Sequence, residues 1–190
     1  MAKPLWTIGE MTKAVKGKCA APPSAPVTGI SIDSRSIAPG EAFVALRGLN
    51  RDGHLFVETA LANGASCAVV ELDHHGKRGE TRLLRVRDTL VALNDLGTAS
   101  RARAKQATVI AVTGSVGKTG TKEALKLALT PSGPVHVSSK SYNNHWGVPL
   151  SLANMRDSTR FGVFEAGMNH AGELSELTRL IRPHIAIITT

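Results

Sequence analysis

Aromatic residues are few: two Trp, one Tyr and four Phe in 190 positions. Modules that bind single-stranded nucleic acid stack bases on several such rings, so this supply argues against that class. Cysteine is scarcer still. Cys19 and Cys67 have neither metal nor redox spacing, and two thiols cannot make a disulfide scaffold. Both sit among small or apolar neighbours and read as inert reduced thiols. No apolar run approaches the roughly 20 residues that cross a bilayer. The N-terminal stretch MAKPLWTIGEMTKAVKGK lacks the apolar segment of a signal peptide. The chain therefore reads as cytoplasmic, with no membrane insertion. A basic tail is also missing. Lys and Arg exceed Asp and Glu by 14 to 10 over residues 1–104 and by 9 to 5 over 105–190, so each part carries +4 of the total +8. Such a diffuse excess suits anionic small substrates, and no nucleic-acid partner is expected. There is no Ser–His–Asp or Cys–His set for a covalent nucleophile. His54, His74, His75, His136, His145 and His184 show no metal spacing. Internal repeats and low-complexity tracts are absent.

What is present is a chain with 42% hydrophobic residues, enough for one or two domains with real cores. Thr7 can cap a helix over about 8–16. The Pro-rich APPSAP reads as a loop, and GISIDSR and AFVALRG as short strands around the turn IAPG. HLFVETALANGA has helical spacing and stops at Gly64. CAVVE and LLRV read as strands, and residues 88–104 as a helix capped by Asp88. From there the rhythm changes to apolar strands alternating with helices: strand 107–113, helix 117–130, VHVS, a helix from GVPLSLANM, FGVFEAG, the helix ELSELTRLI and the strand IAIITT. That alternation predicts a parallel α/β sheet. The composition shift at SRARAKQA predicts two domains, 1–104 and 105–190. The closing apolar strand has nothing after it to cover it, so the chain is expected to be the front portion of a longer protein.

The stretch VIAVTGSVGKTGTKEAL, residues 109–125, carries the chemistry. A strand runs through a glycine turn into a helix. Phosphates need close backbone N–H donors and the positive end of a helix. Lys118 supplies a point charge for β- and γ-phosphates and Thr119 a hydroxyl for Mg²⁺. The nucleotide-contacting candidates are Thr113, Gly114, Ser115, Val116, Gly117, Lys118, Thr119 and Gly120. The spacing is not that of the long phosphate loop, whose first glycine would fall at Val112. Glu165 ends an apolar strand, where a carboxylate beside a phosphate loop can hold Mg²⁺. Asn143 and Asn144 precede a helix start and read either as cap and turn formers or as contacts to substrate oxygens. Asn169 and His170 share that ambiguity. Ser34 and Arg35 follow a strand and suit a pyrophosphate or uridine contact, unless Asp33 and Arg35 pair as a structural turn. Asp52, Gly53 and His54 form a turn with an equal claim to a structural role.

The compact TG-x-x-GKT loop resembles that of the Mur ligases, ATP-dependent amide-bond-forming enzymes of peptidoglycan precursor synthesis. SKSYNNHWGVPLSL (139–152) and FEAGMNHAGELSELTRLIRPHIAIITT (164–190) are similar to further family segments. DSRSIAPGEAFVALRGLNRDGHLFVETALANGA (33–65) is similar to the family's uridine-nucleotide domain. The resemblance covers nearly all of 27–190. Ser115 and Val116, with the NNHWGVPL and AGMNHAGE patterns, favour the branch that adds a dipeptide over the branch that adds one amino acid. A different amino-acid-adding member, or a non-catalytic nucleotide-binding module, are the alternatives.

This resemblance implies a small uridine-nucleotide-binding α/β domain followed by an incomplete P-loop-type parallel-sheet ATPase domain. It implies ATP and Mg²⁺ as cofactors, and UDP-N-acetylmuramoyl-tripeptide and D-alanyl-D-alanine as substrates. The tripeptide carboxylate would attack the γ-phosphate, and the dipeptide amine would then displace phosphate from the acyl phosphate. Lys118 takes the catalytic role, Thr119 and Glu165 the metal, and Ser34, Arg35, Asn143, Asn144, Asn169 and His170 the substrate. A monomer is expected. The family's carbamylated lysine, second-magnesium histidine and closing domain would lie past Thr190, so residues 1–190 alone are expected to be inactive.

Overall fold

Thr7 fixes the start of the first helix. Its hydroxyl accepts from the Glu10 N–H at 3.2 Å, and the Glu10 carboxylate accepts from the Thr7 N–H at 2.7 Å. This reciprocal box satisfies two N–H groups near a helix start that would otherwise lack partners, and it launches α1 (Ile8–Ala14) directly from β1 (Trp6–Thr7). The computed structural model describes residues 3–48, 51–139, 142–168 and 170–190. They divide into two compact units, Met1–Leu96 and Gly97–Thr190.

In the first unit β1 pairs antiparallel with β2 (Pro26–Val27). This corrects the loop expected over APPSAP at its last residue. A two-residue strand carries no periodicity to read, and proline, which cannot donate to a ladder, is tolerated at such an edge. The main sheet is parallel throughout, in the order β3 (Ile30–Ser31), β4 (Ala42–Val44), β5 (Cys67–Glu71) and β6 (Leu83–Val86). Between β4 and β5 a 3-10 turn over Gly53–Phe56 leads into α2 (Val57–Ala62). The helix expected over HLFVETALANGA thus opens more tightly, because the Asp52 carboxylate holds the His54 N–H at 2.9 Å. Phe43, Ala45, Ala68 and Val70 pack against Val57, Ala60 and Leu61 of α2. Both cysteines are free, and burial pushes the Cys67 thiol up to about 12. The helix α3 (Thr89–Arg103) starts where Asp88 Oδ1 accepts from the N–H groups of Leu90 and Val91, both at 2.8 Å. The division between the units falls within α3.

The second unit runs β7 (Thr108–Gly114), α4 (Lys118–Leu129), β8 (Val135–Val137), α5 (Gly147–Ala153), β9 (Phe161–Glu165), α6 (Glu173–Ile181) and β10 (Ile185–Thr189). All four strands are parallel, in the order β10-β7-β9-β8. Strand β7 shows why its sequence is apolar without alternation. Val109 and Ala111 face Val148 and Leu152 of α5 and Leu177 and Ile181 of α6. Ile110 and Val112 turn to the other face, where Val163 and Leu125 and Leu129 of α4 cover them. A strand buried on both faces needs apolar residues at every position. His136 on β8 is neutral: burial pulls its pKa down to about 4, against a hydrogen bond from Nε2 to the Ser151 carbonyl at 2.8 Å. The mixed α/β architecture with parallel sheets agrees with the sequence expectation.

The topology opens a place for a ligand in this unit. The chain leaves β7 into α4 on one face of the sheet and leaves the adjacent β9 toward α6 on the other. Where neighbouring strands send their chains to opposite faces, a crevice opens at their carboxyl ends.

Candidate functional site

That crevice holds the glycine loop. Gly114 ends β7 with φ +131°, and a Cβ there would lie 2.2 Å from Thr189 Oγ1 and 2.3 Å from Thr189 O. Only glycine avoids both the backbone strain and the collision. Gly117 caps α4 at φ +87°, the left-handed region. The loop is tied at both ends. Thr113 Oγ1 donates to Ala166 O at 2.9 Å, the Val116 N–H donates to Thr190 O at 2.7 Å, and Thr189 Oγ1 donates to Thr113 O at 3.1 Å. Beyond it, the first N–H groups of α4 have no acceptor within their own helix. Ser115, Val116, Gly117, Thr119 and Gly120 are exposed, and Lys118 is half-buried. The Lys118 ammonium curls back on the loop, donating to Gly114 O at 2.5 Å and Ser115 O at 3.3 Å.

Glu165 meets the loop through sheet register. Val112 pairs with Glu165 across β7 and β9. The carboxylate is fully buried, and its Oε2 accepts from the Thr119 hydroxyl at 3.2 Å. Among the described residues its Oε1 has no hydrogen-bond partner, although the Lys122 ammonium lies 3.2 Å away as an ion pair. Lys122, buried on α4, donates to Ser138 O at 2.9 Å and also pairs with Glu123 at 3.2 Å. Among the described residues no three His, Cys, Asp or Glu side chains gather into a cage. One carboxylate and one hydroxyl beside a phosphate loop is the donor set Mg²⁺ uses when phosphates and waters complete its shell. Glu165 Oε2 and the Thr119 hydroxyl, 3.2 Å apart at the start of α4, fit such a cation.

Two further loops approach one another. The Gly167 N–H donates to Asn143 O at 2.7 Å, joining the segment before α5 to the one after β9. Asn144 Oδ1 accepts from the N–H groups of Trp146 at 3.1 Å and Gly147 at 2.9 Å. Its side-chain oxygen therefore serves as a helix-start cap, and any ligand contact there would go through the amide NH₂. His170 is exposed, and its carbonyl accepts from the Glu173 N–H at 3.2 Å. Asn169 lies outside the described residues.

In the first unit Ser34 is buried, its carbonyl held by Asn63 Nδ2 at 3.1 Å. Arg35 forms a two-pronged pair with Asp33, at 2.9 Å from Nε and 2.7 Å from Nη2. The paired turn is thus present, yet the Arg35 side chain remains 78% exposed. His54 Nε2 accepts from the Glu71 N–H at 3.0 Å, so its proton sits on Nδ1, 2.7 Å from Asp52 Oδ1. Burial would raise the Asp52 pKa, but the hydrogen bonds from His54 and the nearby charges outweigh it and hold it low. These contacts give the Asp52–His54 turn its structural role. Sequence reasoning passed over Lys122, Ser138 and Thr189. Lys122 stands one helical turn after Lys118 and gave no sign of burial.

A central parallel strand, a glycine loop, a helix and a carboxylate on the adjoining strand define an α/β protein of the phosphate-loop class. Comparisons narrow the class. The Mur ligase family catalytic domain matches residues 26–112 and the Mur ligase middle domain matches residues 112–190. The chain belongs to the Mur ligase family. It is 39% identical over 161 residues to UDP-N-acetylmuramoyl-tripeptide–D-alanyl-D-alanine ligase of Rickettsia prowazekii (strain Madrid E), covering 84% of this chain and 35% of that protein. The solved UDP-N-acetylmuramoylalanyl-D-glutamyl-2,6-diaminopimelate–D-alanyl-D-alanyl ligase of Acinetobacter baumannii superposes with TM-score 0.84 at 36% identity, over 99% of this chain and 42% of that one. MurF ligase of Thermotoga maritima, solved in complex with ADP, matches with TM-score 0.66 at 29% identity, over 84% of this chain and 36% of that one. The chain thus spans well under half the length of these relatives. Among the described residues no helix is long and apolar enough to cross a membrane.

Proposed function

We propose that this chain carries the ATP-phosphate site and the nucleotide-sugar site of a cytoplasmic, monomeric ligase that joins D-alanyl-D-alanine to UDP-N-acetylmuramoyl-tripeptide. One observation carries the reading. The Val112–Glu165 register sets a buried carboxylate against the helix that follows the glycine loop, with Lys118 and Thr119 in its first turn. The likeness to D-alanyl-D-alanine-adding ligases, one of them solved with ADP, supports the substrate assignment.

In this reading residues 105–190 bind ATP and residues 1–104 bind the uridine end of the second substrate. The phosphates lie across Thr113–Gly120, against the positive end of α4. Lys118 exchanges the carbonyls of Gly114 and Ser115 for β- and γ-phosphate oxygens. Thr119 and Glu165 hold Mg²⁺, which when bound offsets charge on the transferring phosphoryl group. The tripeptide carboxylate oxygen bonds to the γ-phosphorus as ADP leaves. The dipeptide amine then attacks the acyl carbon, losing a proton, and phosphate departs. Asn143, Asn144 and His170 contact substrate oxygens, and Asn169, outside the described residues, is assigned the same role from sequence. Ser34 and Arg35 contact the uridine diphosphate.

The test is ADP–Mg²⁺ binding to the 190-residue chain by calorimetry. A charge-assisted contact from Lys118 is worth about 1.5–3 kcal/mol, so Lys118→Ala should weaken binding by about 10- to 100-fold while leaving Tm nearly unchanged. Equal affinity in the variant would remove Lys118 from the phosphate site.

A further inference from the structure

We propose that Lys122 is a positioning residue that sets which divalent cation the phosphate loop accepts with its nucleotide. The inference rests on the cation reading of Thr119 and Glu165 above. Lys122 is buried to 1% exposure, and it reaches Glu165 from the body of α4 rather than from the loop. The two oxygens of Glu165 are thereby divided. Oε1 lies 3.2 Å from the Lys122 ammonium, while Oε2 lies 3.2 Å from the Thr119 hydroxyl at the mouth of the crevice. The lysine is itself anchored by the Ser138 carbonyl at 2.9 Å, and the Ser138 hydroxyl accepts from the Glu165 N–H at 3.4 Å. Ser138 therefore braces both members of the pair.

A carboxylate held this way offers one oxygen to a cation beside Thr119. Mg²⁺ takes single oxygens in a strict octahedron, whereas Ca²⁺ accepts six to eight ligands and commonly uses both oxygens of one carboxylate. The fixed ammonium at Oε1 denies Ca²⁺ that second oxygen. Removing it should let Glu165 turn and bind through both.

The experiment measures ADP affinity of the 190-residue chain by calorimetry with Mg²⁺ and, separately, with Ca²⁺. It compares the native chain with Lys122→Met, which keeps the length and removes the charge. Native protein should bind ADP at least about tenfold more tightly with Mg²⁺, and Lys122→Met should shrink that ratio about tenfold. The ratio is the informative readout, because a lysine that merely braced the fold would weaken both ions together. An unchanged ratio in the variant overturns the inference. Equal support by both ions in the native chain overturns it as well, and needs no variant to fold. If Lys122→Met unfolds, Lys122→Gln keeps a donor for the Ser138 carbonyl, and the same shrinkage or its absence decides. ADP binding with neither ion would instead sink the nucleotide reading, and this inference with it.

Discussion

Replacing Gly114 by alanine tests how the phosphate loop is held. The added Cβ would meet Thr189 Oγ1 at 2.2 Å and Thr189 O at 2.3 Å, and the backbone sits at φ +131°. The torsion alone costs roughly 1–3 kcal/mol for a residue with a side chain. The collision must also push the end of β10 away. That movement breaks the Thr189–Thr113 hydrogen bond and the bond from the Val116 N–H to Thr190 O, at about 0.5–1.5 kcal/mol each. Gly114→Ala should therefore destabilise the second unit by about 3–5 kcal/mol, a large part of the roughly 5–15 kcal/mol typical of a domain. Urea unfolding followed by Trp146 fluorescence in a Trp6→Phe background reads this unit. Adding Thr189→Ala should not rescue the variant, because two of the three clashing atoms are the Thr189 carbonyl carbon and oxygen. A loss under about 0.5 kcal/mol, or full rescue by Thr189→Ala, would refute the argument that the strand end closes on the glycine.

Three other expectations follow from local geometry. His136 has a folded pKa near 4 against about 6.5 unfolded. Its contribution is thus complete above about pH 6.5 and is lost as pH falls toward 4, on the order of 3 kcal/mol in all; His136→Gln should flatten that part of the stability–pH curve measured by denaturation. Asn144→Ala removes the acceptor for the Trp146 and Gly147 N–H groups and should cost about 1 kcal/mol, whereas Asn144→Asp should keep most of it; equal losses would deny the cap. Gly120 lies in α4 with open space around a built Cβ, so Gly120→Ala should raise stability by roughly 0.5–1 kcal/mol, seen as a higher urea midpoint.

Some of this was legible in the chain because the signals are local. Thr7, just ahead of a helical run, announces a helix start. VIAVTG announces a strand buried on both faces, and GKT the helix that follows it. Glu165 stands out because a charge ends an otherwise apolar strand. Other features depend on partners far away in sequence. Lys122 looks like a surface cation until Glu165 and Ser138 are packed around it. The bond between Thr189 and Thr113 links residues 76 positions apart. Asn144 was readable only as one of two roles, since a cap and a ligand contact call for the same residue type. Strands β1 and β2 were invisible because two residues cannot show a period.

The pairing of Val112 with Glu165 makes the site a matter of counting. Along β7 and β9, each residue inserted or deleted shifts everything beyond it by about 3.3 Å and turns it to the opposite face. One residue added between Phe161 and Glu165 would carry the carboxylate past Thr119 and point it toward α5 and α6. The exposed turn over Thr130–Ser132 carries no such constraint. Length changes there would alter the path between α4 and β8 but leave the register intact. Across natural or engineered variants, insertions should therefore collect at that turn and be purged from the two strands, even where every individual side chain of the strands can be exchanged.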